Sequence, residues 1–203
     1  MQPSQKSIPF INVRTQENRT PTGRRTSSPA RRAALYYAFG RDKEAHLEGR
    51  QRGQWLGPDG RVHTQEEVMA WVRANALEHR YTFQGVLSAP EGELTAAEFG
   101  RAMQKGGQTE DWRLMAHEDT KHRHAHVLWF GDKRMDKKAF LSWQADVRAE
   151  LVRLEQQHTS ASLLRLHSAQ VSTGAKDRVA QQEMTLDTGQ ARARAKGQEV
   201  GLG

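Results

Sequence analysis

The segment from His117 to His126 (HEDTKHRHAH) constrains this chain more than any other part of it. His122, His124 and His126 alternate, so on a β-strand they face the same way. On such a strand His122 and His126 stand about 13 Å apart, near the limit at which two imidazoles meet one ion. His124 and His126 are about half as far apart, and a third ligand must come from a neighbouring strand. A hairpin centred between Thr120 and Lys121 supplies it, pairing 117 with 124 and 119 with 122. Directly opposed residues share a face with Cβ atoms about 4.5–5.5 Å apart. His117, His124 and His126 then gather at one point, with Asp119 beside His122 at the edge. Thr-Lys is poor chemistry for a two-residue turn, but a four-residue loop on the same centre keeps the pairing.

Imidazoles crowded on one face without an ion would repel when protonated, so the pattern points to a divalent metal. Three neutral histidines leave the ion's charge intact and its other positions open, an arrangement suited to polarising a phosphate oxygen. The metal class is Mn, Mg, Zn or similar, and imidazole ligands suit Mn, Zn, Ni or Co better than Mg. Asp119 is read as orienting an imidazole rather than coordinating the metal. His122 stays open as a ligand, a substrate contact or neither.

Charge adds a partner class. The net charge is +7, and a basic balance favours a polyanion whose phosphates the protein neutralises. Only 36% of residues are apolar and mean hydropathy is −0.84, so part of the length is expected to be unpacked. No apolar run approaches the roughly 18–20 residues of a membrane span, and no secretory core opens the chain. Cysteine is absent, which removes disulfides and thiolate ligands and fits a cytoplasmic location.

Residues 1–30 read as a short edge strand from Ile8 to Val13 followed by a flexible basic arm, RTQENRTPTGRRTSSPARR. Arg24, Arg25, Arg31 and Arg32 are its candidate nucleic-acid contacts. Ser28-Pro29 reads as a helix start, with the helix ending near Gly40. Residues 41–62 read as charged loop. Thr64 with Glu67, and Thr95 with Glu98, are capping-box signatures for two more helices. Arg80–Ser88, Trp112–Met115 and His124–Phe130 read as strands. A helix follows from Asp136 with Phe140, Trp143, Val147, Leu151 and Leu154 inward, and residues 158–203 read as a polar tail. The order of elements predicts an α+β domain over 31–157, an antiparallel β-sheet with helices packed on one side.

Tyrosine occurs at 36, 37 and 81, and Tyr81 sits in a strand's apolar pattern. Tyr36 and Tyr37 are adjacent on the helix after the basic run, about 100° apart around it. The set His117-x-Asp119-Thr120-x-x-x-His124-x-His126-Val127 resembles the third motif of MobP-type plasmid relaxases, which belong to the HUH endonucleases. ALYYAFGRD (34–42) is similar to their first motif, which carries a nucleophilic tyrosine in a helix. YTFQGVLSAPEGELTAAEF (81–99) resembles their central strand, Ser-Pro loop and next helix. The likeness covers roughly residues 8–155; the family often has Asn where Phe130 stands.

The resemblance implies an HUH-type sheet and metal ligands His117, His124 and His126. It implies Tyr37 as nucleophile, with Tyr36 as the alternative, and Asp119 or His122 assisting deprotonation. The implied activity is strand-specific DNA nicking and joining through a 5′-phosphotyrosine, in plasmid mobilisation or conjugation in the bacterial cytoplasm. The implied partners are single-stranded DNA at a transfer-origin-like site, accessory mobilisation proteins and a type IV secretion coupling protein, without membrane insertion. HUH replication initiators generally place the tyrosine after the histidines, and here none follows His126. An initiator nickase and a catalytically inactive DNA-binding module are the alternatives.

Overall fold

The structure, a computed structural model, describes residues 8–90, 94–107, 111–117 and 123–165. Two compact units divide the chain, Met1–His158 and Thr159–Gly203. Of the second, residues 159–165 are described and are helical.

In the first unit, six strands form one antiparallel sheet: β1 (Phe10–Glu17), β2 (Trp55–Leu56), β3 (Val62–His63), β4 (Tyr81–Ser88), β5 (Trp112–His117) and β6 (His124–Gly131). Their spatial order is β1-β4-β6-β5-β2-β3, which puts β6 and β5 in the middle. Helices α1 (Ser28–Phe39), α2 (Lys43–Glu48), α3 (Gln65–Glu78) and α4 (Ala96–Lys105) precede a fifth, α5, from residue 137 to 158 in this unit.

Helices cover both faces of the sheet, not one. On the first face Phe83, Leu87, Leu114, Val127 and Trp129 pack with Phe99 and Met103 of α4 and with Trp143, Val147 and Leu151 of α5. On the second, Trp55, Met115 and Leu128 pack with α1 and with Val68, Val72 and Ala76 of α3. The cause is legible in β6, where Val127 and Trp129 alternate with Leu128 and Phe130, so neither face of this strand is polar. A strand apolar on both sides needs cover on both.

Local signals set the helix ends. Pro29 occupies the first turn of α1, and Gly40 ends it at φ 66°, ψ −138°, a backbone state that side chains disfavour. Both expected capping boxes form, Thr64 with Glu67 and Thr95 with Glu98. The buried stripe of α1 is Ala30, Ala33, Ala34, Tyr37 and Ala38. A stripe of alanines lets the helix lie close to the sheet, which matters for the site below.

Three expectations change. The basic run does not begin an arm at Arg14: β1 continues to Glu17, paired with β4 along its whole length as an edge strand. Beyond it, buried Asn18 holds the turn. Its Nδ2 donates to His79 O at 3.0 Å, and its Oδ1 accepts from Thr82 Oγ1 at 2.6 Å. Residues 41–62 are not merely loop, since α2, β2 and β3 lie there. The last helix runs past Gln157 through residue 165, and the rest of the expected tail lies outside the described residues.

Candidate metal centre

The predicted register is the observed one. His117 on β5 pairs with His124 on β6, and Met115 pairs with His126. Alternation then places all three histidines on the face covered by α1. Their ring centroids form a nearly equilateral triangle, 4.9 Å from His117 to His124, 4.8 Å from His117 to His126 and 5.1 Å from His124 to His126. One nitrogen from each ring lies within 4.8 Å of the others, and His117 Nδ1 is 3.2 Å from His124 Nε2. Tetrahedral coordination at about 2.0–2.1 Å separates ligand atoms by roughly 3.3–3.5 Å. The His117–His124 spacing already matches that separation, and the widest spacing in the triad, up to 4.8 Å, must close by more than an ångström to hold an ion.

Two further observations fit a metal. His117 Nε2 lies 2.7 Å from the carbonyl oxygen of Tyr37. A carbonyl only accepts, so Nε2 carries the proton and Nδ1 is turned toward the other two rings, a common way of fixing a metal-binding imidazole. His126 Nδ1 is buried and has no hydrogen-bond partner, an orphan of the kind an ion or water satisfies. Burial, and after it the positive potential of His117, His124 and Arg52, pushes the His126 pKa down to about 3. The ring is therefore neutral at neutral pH, as a metal ligand must be.

Helix α1 delivers both tyrosines above this triad. Tyr37 stacks on His126, with centroids 4.2 Å apart and planes 18° apart. It is 5% exposed, and burial raises its hydroxyl pKa well above the ordinary value. Tyr37 nonetheless reaches the wall of the cleft of about 490 Å³ that Tyr36 also lines. Tyr36 is 45% exposed and stands edge-on to His126 at 6.4 Å. It lines two clefts that share it as a wall. One, of about 490 Å³, is bounded by Asn12, Arg14, Gln16, Arg32, Gln84 and His126. The other, of about 830 Å³, takes in Arg41, Arg50 and Arg52.

Of the four arginines expected to meet DNA, only Arg32 lines these clefts. Arg31 is exposed on α1 and lines neither. Arg25 bonds the carbonyl of His79 at 2.6 Å, just before β4 begins. His124 pairs with Ser88 at that strand's other end, so Arg25 stands about the length of β4, roughly 23 Å, from the triad. Arg24 lies on the same turn as Arg25 and faces solvent. Arg14, Arg41, Arg50 and Arg52 take their place. Arg14 had a signal in FINVRTQE, where Ile11, Val13 and Thr15 alternate with polar residues. Asp119 and His122 lie outside the described residues. Phe130, at the position where the relaxases often have Asn, packs edge-on against Trp71 at 5.0 Å.

No protein-family model matches the chain, and no curated protein matches it. Among the described residues no helix is long and apolar enough to cross a membrane.

Proposed function

We propose that this chain is a metal-dependent, strand-specific DNA-nicking and -joining enzyme that works through a covalent phosphotyrosine, as relaxases do in plasmid mobilisation. The observation that carries the reading is the placement of two tyrosines on one helix directly over a three-histidine site between arginine-lined clefts. A divalent ion held by His117, His124 and His126 would draw charge from the non-bridging oxygens of a phosphodiester.

The chain's own residues do the rest. Arg14 and Arg32 on one side, and Arg41, Arg50 and Arg52 on the other, hold the backbone of a single strand across Tyr36. The tyrosine hydroxyl loses its proton and its oxygen attacks phosphorus. The bond to the 3′-oxygen breaks, and that oxygen leaves as a hydroxyl after taking up a proton. The product is a 5′-phosphotyrosine that keeps the phosphodiester energy, so the reverse attack rejoins strands without ATP. Exposure favours Tyr36 as the attacking residue; Tyr37 braces the metal site through its ring and its carbonyl. The partners on this reading are single-stranded DNA at a transfer-origin-like site, accessory mobilisation proteins and a secretion coupling protein, in the bacterial cytoplasm.

The test is incubation with a supercoiled plasmid carrying the DNA that flanks this chain's own gene, with Mn²⁺, Mg²⁺ or Zn²⁺ and with EDTA. Nicked circles that require metal, with protein attached to the 5′ end, are the expected result. Binding without cleavage under every metal would leave an inactive DNA-binding module, and nicking without a protein adduct would replace the tyrosine with water.

A further inference from the structure

Among the described phenylalanine, tyrosine and tryptophan side chains, Phe10 and Tyr36 are the exposed ones, at 58% and 45%. Both stand beside the same site, although they come from different elements. On β1, Ile11 and Val13 face the core of α4 and α5, so Phe10, Asn12, Arg14 and Gln16 face the other way. Phe10 pairs with Ser88, Ser88 with His124, and His124 with His117. These four residues therefore form one row across the histidine face. Phe10 is two strand spacings from His124, about 10 Å.

The neighbouring rows are polar and basic. Asn12 lies beside Val86, and Arg14 beside Gln84, whose Nε2 donates to Gln16 Oε1 at 3.2 Å. Among the described residues no acidic side chain lines this cleft, and Arg32 closes it from α1. Phe10 precedes Asn12 and Arg14 of that cleft on the same face of β1, so its exposed ring offers a flat apolar surface to a strand whose charge suits the arginines. A nucleobase meets both conditions, because every base offers a π-face while its phosphate answers the arginines.

We infer that Phe10 is a base-stacking platform: a nucleobase close to the scissile phosphate lies on its ring while Arg14 and Arg32 take the adjoining phosphates. The inference rests on the nicking reading and deepens it, by naming where a base near the cut is held. Nothing in the stack selects one base over another. It orders the strand, so that the phosphate arriving at the histidines is presented with a fixed backbone direction.

The experiment is fluorescence anisotropy with the full chain and Mn²⁺, using labelled short oligo(dT) and an abasic strand of equal length. Phe10→Ala and Phe10→Leu should each weaken oligo(dT) binding by about tenfold, the size of one stacking contact, and leave the abasic strand unchanged. Phe10→Trp should bind as the parent does, and Arg14→Ala should weaken both probes. Leucine keeps the apolar bulk, so parent-like binding by Phe10→Leu would overturn the inference. So would equal losses on both probes, or a lower melting temperature with binding untouched, which would make Phe10 a contact of the chain itself. If the parent binds neither probe, the nicking reading fails as well; if it binds both equally, only the stacking inference falls.

Discussion

His117 donates from Nε2 to the backbone carbonyl of Tyr37 over 2.7 Å. One bond thus ties a candidate ligand on β5 to the helix that carries both tyrosines, and fixes which nitrogen faces His124 and His126. Replacing His117 by Ala removes a ligand and also strands a buried carbonyl, which costs about 1–3 kcal/mol. His117→Ala should therefore lose both metal and melting temperature. His124→Ala, whose ring is less buried, should lose metal with a smaller thermal change. Calorimetric titration with Zn²⁺ or Mn²⁺ beside a thermal melt reads both. Unchanged metal affinity in either variant would remove that residue from the site.

Gly53 sets the spacing beneath the same ligand. A Cβ at this position would lie 2.2 Å from the carbonyl oxygen of Ala116, the residue before His117. That oxygen belongs to a central strand and cannot swing aside as a side chain would. Gly53→Ala should cost about 1–3 kcal/mol of stability, since overpacking of this kind is destabilising. By pushing β5 it should also weaken metal binding. A variant as stable as the parent, with full metal affinity, would show that the 50–54 segment moves freely against β5.

How far the sequence carried follows from which forces are local. The triad was legible because strand alternation and hairpin pairing are short-range geometry, and HEDTKHRHAH contains both. The two capping boxes were legible because each is spelled within four residues, Thr64 to Glu67 and Thr95 to Glu98. Arg14 was misread because composition spoke for an arm, whereas the strand is decided by β4, distant in sequence, and by buried Asn18 bonding His79 and Thr82. Helix α2 had a signal that charge obscured: Asp42 caps its start, accepting from Glu44 N and Ala45 N, and Gly49 ends it in the left-handed region at φ 69°. Helices on both faces followed from the two apolar sides of β6. The exposure of Tyr36 against Tyr37 had no sequence signal, because it depends on how an alanine stripe seats α1 on the sheet.

Glu98 joins the start of α4 to the end of α5. Its carboxylate accepts from Thr95 N at 2.8 Å and from His158 Nε2 at 2.8 Å. Burial alone would raise its pKa, but these donors outweigh it and hold the carboxyl below its ordinary value. A carboxyl depressed in the folded state gives stability that is present above the unfolded pKa, about 4.3, and is lost as pH falls through the folded one. The melting temperature should drop below about pH 4.5, and Glu98→Gln should flatten that drop. The same change should lower stability near neutrality by about 1 kcal/mol through loss of the charged cap. An identical acid profile in Glu98→Gln would place the acid-sensitive carboxyl elsewhere.

The tyrosine pair gives the sharpest test, because burial and family resemblance point to different residues. Tyr37 fits the relaxase motif, yet it is 5% exposed, stacked on His126, with a hydroxyl that burial makes harder to ionise. Tyr36 is 45% exposed and walls both arginine clefts. A nucleophile must reach phosphorus, and that requirement favours the exposed ring. Tyr36→Phe should therefore abolish the denaturant-resistant DNA adduct while sparing strand binding and metal affinity. Tyr37→Phe keeps the ring on His126 and the carbonyl on His117, so adduct formation should survive within about a factor of a few, since no attacking oxygen is lost. Tyr37→Ala removes the ring and should cost about 3–5 kcal/mol of stability, as large aromatic deletions do, and metal affinity with it. The reverse result, an adduct lost in Tyr37→Phe and kept in Tyr36→Phe, would mean that the Tyr37 ring leaves His126 when DNA binds. A metal-dependent cut that persists in the double variant would assign the attack to water and end the phosphotyrosine reading.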